Sequence, residues 1–149
     1  MASLQLTTRI RAPRERVFAL ATDVHNAAGR IPAIHRIEVL TEGPVRKGTR
    51  FKETRVMFGR PATEEMTVTE FEPPARFALG AESCGCRYHS EFHFAEQAGE
   101  TEVRLTIQAT PLTWFARVMG FLMRPLFKLM GKECGKDLAA LKQLAEAVP

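Results

Sequence analysis

Few residues of this sequence have the type and setting that acid–base chemistry requires. A general acid or base must be a titratable side chain placed within reach of the reacting atom. Glu53, Tyr88 and His25 are the candidates, because Glu53 and Tyr88 lie in alternating stretches where an inward-facing polar group could meet a ligand. The sequence identifies no partner that would activate any of them, so the assignment of catalytic residues stays open.

Metal-binding and cofactor-binding patterns are missing. His89 and His93 are four apart, but the alternation around them indicates a strand, in which they would lie about 13 Å apart and could not hold one ion. Cys84 and Cys86 have no second cysteine pair, since only Cys134 follows. No phosphate loop, nucleophile elbow or dinucleotide fingerprint occurs. We therefore predict neither a metal nor a cofactor.

Alternation of apolar and polar residues predicts seven β-strands. They cover residues 4–10, 35–42, 49–58, 62–71, 76–83, 86–96 and 101–110. Turn residues separate most of them closely enough for antiparallel hairpins. Between the first two strands, Pro13 and the apolar spacing after it predict a short helix ending near Asp23, and a second short helix is expected over 24–29.

The last third of the chain has helical spacing. One apolar stripe contains Phe115, Met119, Leu122, Leu126 and Met130, and a second, rotated stripe contains Cys134, Leu138, Leu141 and Ala145. Thr113 offers a capping hydroxyl after Pro111. Because Pro125 interrupts the pattern, we predict one long helix with a kink near 121–125.

This order of elements predicts an α+β fold, in which a seven-stranded antiparallel sheet curls around the long C-terminal helix. Residues 10–18, 48–51, 68–76 and 141–146 resemble the START, polyketide cyclase/dehydrase and birch-pollen-allergen superfamily, known as SRPBCC. The resemblance spans nearly the whole chain. It implies the helix-grip fold, with a deep cavity between sheet and helix for a lipid, sterol, polyketide or other apolar molecule.

Residues that share the apolar faces of these elements are the candidates for the cavity wall. They are Phe51, Arg55, Phe77, Leu79, Tyr88, Ser90, Phe92, Phe94, Leu105, Ile107, Phe115, Met119, Leu122 and Leu126. The strand over 49–58 leaves two registers open. Either Phe51, Glu53 and Arg55 point inward, or Lys52 and Thr54 do.

Composition indicates one domain over residues 1–149, with 45% hydrophobic and 26% charged residues. The apolar stretch 112–130 contains Arg117, Arg124 and Lys128, so we do not expect it to span a membrane. Residues 1–8 lack the apolar core of a signal peptide, and three cysteines cannot all pair. We therefore expect a cytoplasmic protein with free thiols.

A row of basic residues, Arg124, Lys128, Lys132 and Lys136, repeats every four positions. Like charges at this spacing cost about 0.2–0.5 kcal/mol per pair on a helix, so the row suggests an anionic partner. A membrane surface fits the apolar residues next to it. Nucleic acid fits less well, because aromatic residues do not interleave with the row. An ordinary solvated lysine face is the alternative.

We predict that the protein binds a hydrophobic small molecule (a lipid, polyketide, quinone or sterol-like compound) for transport, storage or presentation. A polyketide cyclase, aromatase or dehydratase that uses a cavity acid or base is the alternative. A third hypothesis is a non-catalytic regulator or quinone chaperone at a membrane. The side chains that line the cavity distinguish these hypotheses. An enzyme needs a polar group with a perturbed pKa facing the ligand, whereas a carrier needs only an apolar cavity of matching shape.

Overall fold

The computed structural model describes residues 2–57, 59–83 and 85–147. Its helices are α1 (Arg14–Ala21), a 3₁₀ helix (Val24–Gly29), α2 (Trp114–Leu122) and α3 (Arg124–Glu146). Its strands are β1 (Ala2–Ile10), β2 (Ile34–Val39), β3 (Arg50–Met57), β4 (Arg60–Glu72), β5 (Arg76–Ser83), β6 (Cys86–Gln97) and β7 (Glu100–Pro111).

Within those ranges, the strands form one seven-stranded antiparallel sheet in the order β1-β7-β6-β5-β4-β3-β2. Strands β2 to β7 are neighbours in sequence order, and Gly85 and Gly99 supply the positive φ angles, 76° and 79°, that tight hairpin turns need. β1 returns to pair with β7, from Ala2 opposite Ala109 to Ile10 opposite Thr101. The predicted α+β helix-grip fold is confirmed.

The core lies between one face of this sheet and the helices. Ile10, Phe51, Phe77 and Val103 are each no more than 2% exposed. α3 adds Leu138, Leu141 and Ala145 to the same cluster. Burying each large apolar side chain contributes roughly 1.5–3 kcal/mol, so the second stripe of the C-terminal segment holds α3 against the sheet.

The prediction of one bent C-terminal helix is wrong. The helix is interrupted at Met123, whose φ and ψ of −99° and 16° end α2 before α3 begins. Pro125 lies in the first turn of α3, where a missing backbone N–H costs nothing. Thr113 caps α2, because its hydroxyl accepts a hydrogen bond of 3.0 Å from the Ala116 N–H. Because α2 is a separate helix, its apolar side chains can point away from the sheet.

α3 packs most closely against β1. A methyl group added at Gly131 would lie 2.5 Å from Leu4 Cδ2, so only glycine allows this approach without a shift. Farther along, the Lys142 ammonium donates to the Arg9 carbonyl at 2.7 Å, and the Arg11 N–H donates to the Glu146 carboxylate at 2.8 Å. The backbone hydrogen bond from Arg11, with help from Lys142, lowers the pKa of Glu146.

Alanine substitutions at two glycines of α3 test this contact. Gly135 has open space around it, so Gly135→Ala should stabilise the protein by about 0.5–1 kcal/mol through helix propensity. Gly131→Ala should be less stable than Gly135→Ala by roughly 1 kcal/mol or more, because the new methyl group displaces Leu4. Denaturant unfolding measures both.

A third variant provides the control. In the Leu4→Ala background, Gly131→Ala should regain its helix-propensity gain, because the obstructing methyl groups are gone. Equal stability of the two single glycine variants would contradict the close approach of α3 to β1.

Candidate functional site

A cavity of about 310 Å³ lies between the sheet, α3 and the segment that contains α1 and the 3₁₀ helix. Its apolar wall includes Leu20, Val24, Ile31, Ile34, Phe51, Phe77, Leu79, Phe92, Leu105, Ile107, Met130, Cys134, Leu138 and Leu141. Polar side chains also reach it, and most of them cluster where β3 and β4 face α3. The cavity therefore has a long apolar wall and one ionic end.

Many of the residues proposed from the sequence lie at this cavity. They are Phe51, Glu53, Arg55, Phe77, Leu79, Tyr88, Ser90, Phe92, Leu105 and Ile107. The structure also resolves the register of β3, because Phe51 is 2% and Glu53 8% exposed. Both face inward with Arg55, whereas Lys52 faces solvent. Contact of these residues with a ligand stays a prediction.

Four other proposed wall residues do not lie there. Phe94 packs against Phe18 of α1, with ring centroids 5.3 Å apart, and fills the core instead. Phe115, Met119 and Leu122 are 62%, 38% and 64% exposed, because the break at Met123 turns α2 away from the cavity. The side chain of Leu126 lies outside the described part of the chain.

The ionic end is organised around Arg55. Its Nε donates to Glu53 Oε1 at 2.7 Å, and its Nη1 donates to Asp137 Oδ2 at 2.6 Å. Burial opposes the charge of Arg55, but the two carboxylates outweigh that effect and raise its pKa. Because Glu53 and Arg55 lie on β3 and Asp137 lies on α3, the cluster also links the sheet to the helix.

Glu64 adds a carboxylate to this end that the sequence analysis missed. It pairs with Glu53 in the β3–β4 register and lines the same cavity. Burial, followed by repulsion from Glu53, raises the pKa of Glu64, and Arg55 only partly offsets both effects. A signal existed, because a hairpin that pairs Met57 with Arg60 also places Glu64 opposite Glu53.

α3 contributes Asp137, Glu133 and Cys134 to the ionic end. Burial raises the pKa of Asp137 despite the nearby Arg55. Burial and the charge of Asp137 also raise the pKa of the Cys134 thiol to about 11, so this thiol stays protonated and unreactive near neutral pH. Burial, followed by repulsion from neighbouring carboxylates, therefore raises the pKa values of Glu64, Asp137 and Cys134.

The remaining candidates from the sequence differ in position. His25 is exposed and does not line the cavity. His89 and His93 are on the outer face of β6, where both contact Glu91. Burial acts against the charge of Glu91, but hydrogen bonds from Arg76 and His93 lower its pKa to about 2. This outer cluster has the character of a surface ion-pair network.

The sequence matches, over residues 1–146, the family described as "Polyketide cyclase / dehydrase and lipid transport". The chain belongs to this family. Its membership of the SRPBCC superfamily, predicted from the sequence resemblance, is thereby confirmed. No curated protein matches the chain.

Solved structures share the fold of this polyketide cyclase/dehydrase family member. Protein TTHA0849 from Thermus thermophilus is 23% identical, with a TM-score of 0.80 and 98% of each chain covered. The Zhui aromatase/cyclase from Streptomyces sp. R1128 is 18% identical, with a TM-score of 0.79 over 97% of this chain and 93% of the other. The di-domain ARO/CYC BexL from the BE-7585A biosynthetic pathway is 21% identical, with a TM-score of 0.82 over 99% of this chain and 51% of the other.

These structural similarities establish the fold alone. The chemistry of the cavity in this protein depends on its own residues. The ionisable side chains that the structure brings together there are the Glu53–Arg55–Asp137 cluster and Glu64. Sequence reasoning named the first two, and it found neither Glu64 nor the role of Asp137.

The raised pKa of Glu64 gives a prediction about stability and pH. The unfolded carboxyl loses its proton near pH 4.5, the folded one at higher pH, so the folded state of the wild type is disfavoured as pH rises through that window. Glu64→Gln should therefore be more stable than the wild type at pH 7, by up to about 1 kcal/mol, since the half-buried group is partly screened. The difference should vanish below about pH 4.

Glu65→Gln is the matched control, because Glu65 is the next residue and is exposed on the opposite face of β4. Its effect should stay within about 0.5 kcal/mol at both pH values. Denaturant unfolding at pH 7 and pH 4 measures both variants. A Glu64→Gln variant less stable than the wild type at pH 7 would contradict the proposed cost of this carboxylate.

Proposed function

We propose that the protein binds one compact, mainly apolar molecule in the cavity between the sheet and α3, for transport, storage or presentation. The observation that carries the proposal is the cavity itself, about 310 Å³ with a predominantly apolar wall. Apolar cavities of this kind bind ligands by removing apolar surface from water. The family description, which includes lipid transport, supports the same function.

Cavity size and polarity narrow the ligand class. A volume of about 310 Å³ is at the lower end of the roughly 300–1,000 Å³ typical of small-molecule sites, which favours a ring-sized compound over a fully enclosed long chain. At the ionic end, the carboxylates accept hydrogen bonds. A ligand with hydroxyl or ammonium donors at one end and an apolar body would therefore match both parts of the cavity.

A proton-transfer enzyme of the cyclase or dehydratase type is the second candidate, and one observation favours it. Glu64 is a carboxyl group with a raised pKa that faces the cavity. A carboxyl tuned upward in this way can act as a general acid or base near neutral pH. The aromatase/cyclase names of two structures with the same fold agree with this candidate.

Filling the cavity tests the binding function. Leu79→Trp should abolish binding of the neutral fluorescent probe N-phenyl-1-naphthylamine, because the added ring would occupy the space next to Leu79. Its stability should fall by less than about 1 kcal/mol if that space is empty, compared with roughly 1–3 kcal/mol in a filled core.

Leu122→Trp is the matched control, because Leu122 is 64% exposed on α2. This variant should bind the probe like the wild type. Unchanged probe binding by Leu79→Trp together with a large loss of stability would mean that the site is a filled core. Independently of this test, native mass spectrometry of the protein purified from its host would weigh any ligand that the cavity retains.

The enzyme candidate makes a separate prediction. If Glu64 transfers a proton, Glu64→Gln should slow turnover of a cyclisable poly-β-ketone analogue by about 100-fold or more, with little change in its affinity. Glu65→Gln should leave turnover unchanged. A wild-type protein that binds such analogues and never converts them would exclude the enzyme function for that substrate class and leave the binding function intact.

A further inference from the structure

α2 exposes large apolar side chains that a helix normally buries. Trp114 is 78% exposed, Phe121 65%, Leu122 64% and Phe115 62%. Val118 and Met119 of the same helix are 49% and 38% exposed. Monomeric soluble proteins rarely expose contiguous apolar patches of this kind unless the patch contacts a partner or a membrane.

The orientation of α2 explains this exposure. At 100° per residue, the six apolar side chains cover an arc of about 160° around the helix axis, and Ala116 projects from the opposite side. Ala116 is the residue that α2 buries, at 4% exposed. The helix is therefore amphipathic in reverse, with its small residue against the protein and its large apolar face outward.

The charge around this face has one sign. Residues 112–132 contain Arg117, Arg124, Lys128 and Lys132 and no aspartate or glutamate. All four basic side chains are exposed. The Arg124 guanidinium lies 5.1 Å from the centroid of the Phe121 ring, so a positive charge borders the apolar face directly.

We propose that α2 and the start of α3 dock on an anionic lipid surface. The exposed apolar face enters the boundary between headgroups and acyl chains, and the four basic residues meet the anionic headgroups. The docking is peripheral. No helix in the described residues is long and apolar enough to cross a membrane, and the nine residues of α2 span about 13 Å of the roughly 30 Å hydrocarbon core.

A second copy of the chain fits this surface less well. A symmetric dimer contact on α2 would bring Arg117, Arg124 and Lys128 close to their own equivalents without an acidic residue between them. A lipid surface instead accepts apolar and basic groups side by side. Lys136, the last residue of the basic row, pairs with Glu133 at 3.3 Å and is not counted among the docking residues.

α2 lies at the end of the sheet near the β5–β6 turn. The Leu112 N–H donates to the Gly85 carbonyl at 2.8 Å, and Tyr88 of the cavity wall is only three residues, about 10 Å, along β6 from that glycine. Docking would bring this end of the cavity toward the lipid. Exchange of a ligand between bilayer and cavity would rest on the proposed function, whereas docking itself does not.

Trp114 is the single tryptophan of the chain, so its fluorescence reports directly on α2. With vesicles of phosphatidylcholine and phosphatidylserine at low salt, we expect its emission to shift to shorter wavelength and its quenching by acrylamide to fall. Pure phosphatidylcholine vesicles should bind far more weakly, and added salt should reverse binding by screening. A free anion such as inorganic phosphate should leave the emission unchanged.

Two matched double variants separate this surface from net charge. Lys128→Gln/Lys132→Gln should weaken vesicle binding on the order of 20- to 30-fold, at about 1 kcal/mol for each basic residue. Lys47→Gln/Lys52→Gln removes the same charge from exposed positions elsewhere and should bind like the wild type. Phe121→Ser/Leu122→Ser should reduce binding further and should not change unfolding, since both side chains are exposed.

Several outcomes would overturn the docking proposal. Unchanged Trp114 emission with vesicles of both compositions would exclude it. Equal weakening by the two lysine pairs would reduce the effect to net charge. Concentration-dependent dimerisation that already shields Trp114 from acrylamide would assign α2 to a second copy, and capture of a protein that shields Trp114 without vesicle binding would assign it to a protein partner.

Discussion

One largely buried ion-pair cluster links the sheet to α3 on the side of the cavity. Removing three charges from water costs several kcal/mol for each ion, and Arg55 recovers this only because it contacts Glu53 at 2.7 Å and Asp137 at 2.6 Å. The contact with Asp137 requires α3 to be rotated so that this residue faces β3. That rotation directs Cys134, Leu138 and Leu141 into the cavity and the basic side chains of the same helix toward solvent.

The same cluster accounts for the chemistry of the cavity. Glu64 adds negative charge beside a guanidinium that two carboxylates already occupy, so burial and repulsion both favour its protonated form. The surplus of carboxylates gives the mainly apolar cavity a polar end, and under the proposed function that end would orient a ligand or exchange a proton.

Most of the fold could be predicted from the sequence, because alternation and turn residues are local signals. β5 has the predicted bounds, and β3 and β7 differ from theirs by only a residue at either end, whereas β2 stops at Val39. The inward face of β3 could not be predicted, because each of its two alternating sets of residues contains a phenylalanine: Phe51 in one and Phe58 in the other. Glu64 was missed for a related reason: its position depends on which residues form the β3–β4 turn.

The C-terminal segment shows a second limit of sequence reasoning. Both apolar stripes were identified, but the cavity was assigned mainly to the first one. An apolar face has the same periodicity whether it points toward the core or toward solvent. Only the break at Met123 and the contact of Ala116 with the rest of the protein separate the two cases, and both depend on tertiary structure.

α3 contacts the sheet in different ways on its two sides. Next to β1, Gly131 leaves only the Leu4 side chain between helix and strand, while next to β3 the side chains of both Arg55 and Asp137 lie between them. The space between helix and sheet is therefore a wedge, closed at β1 and open at β3. Side chains of other lengths on the open side would resize the wedge and leave the contact between Gly131 and β1 intact, so different residues determine the size of the cavity and the attachment of the helix.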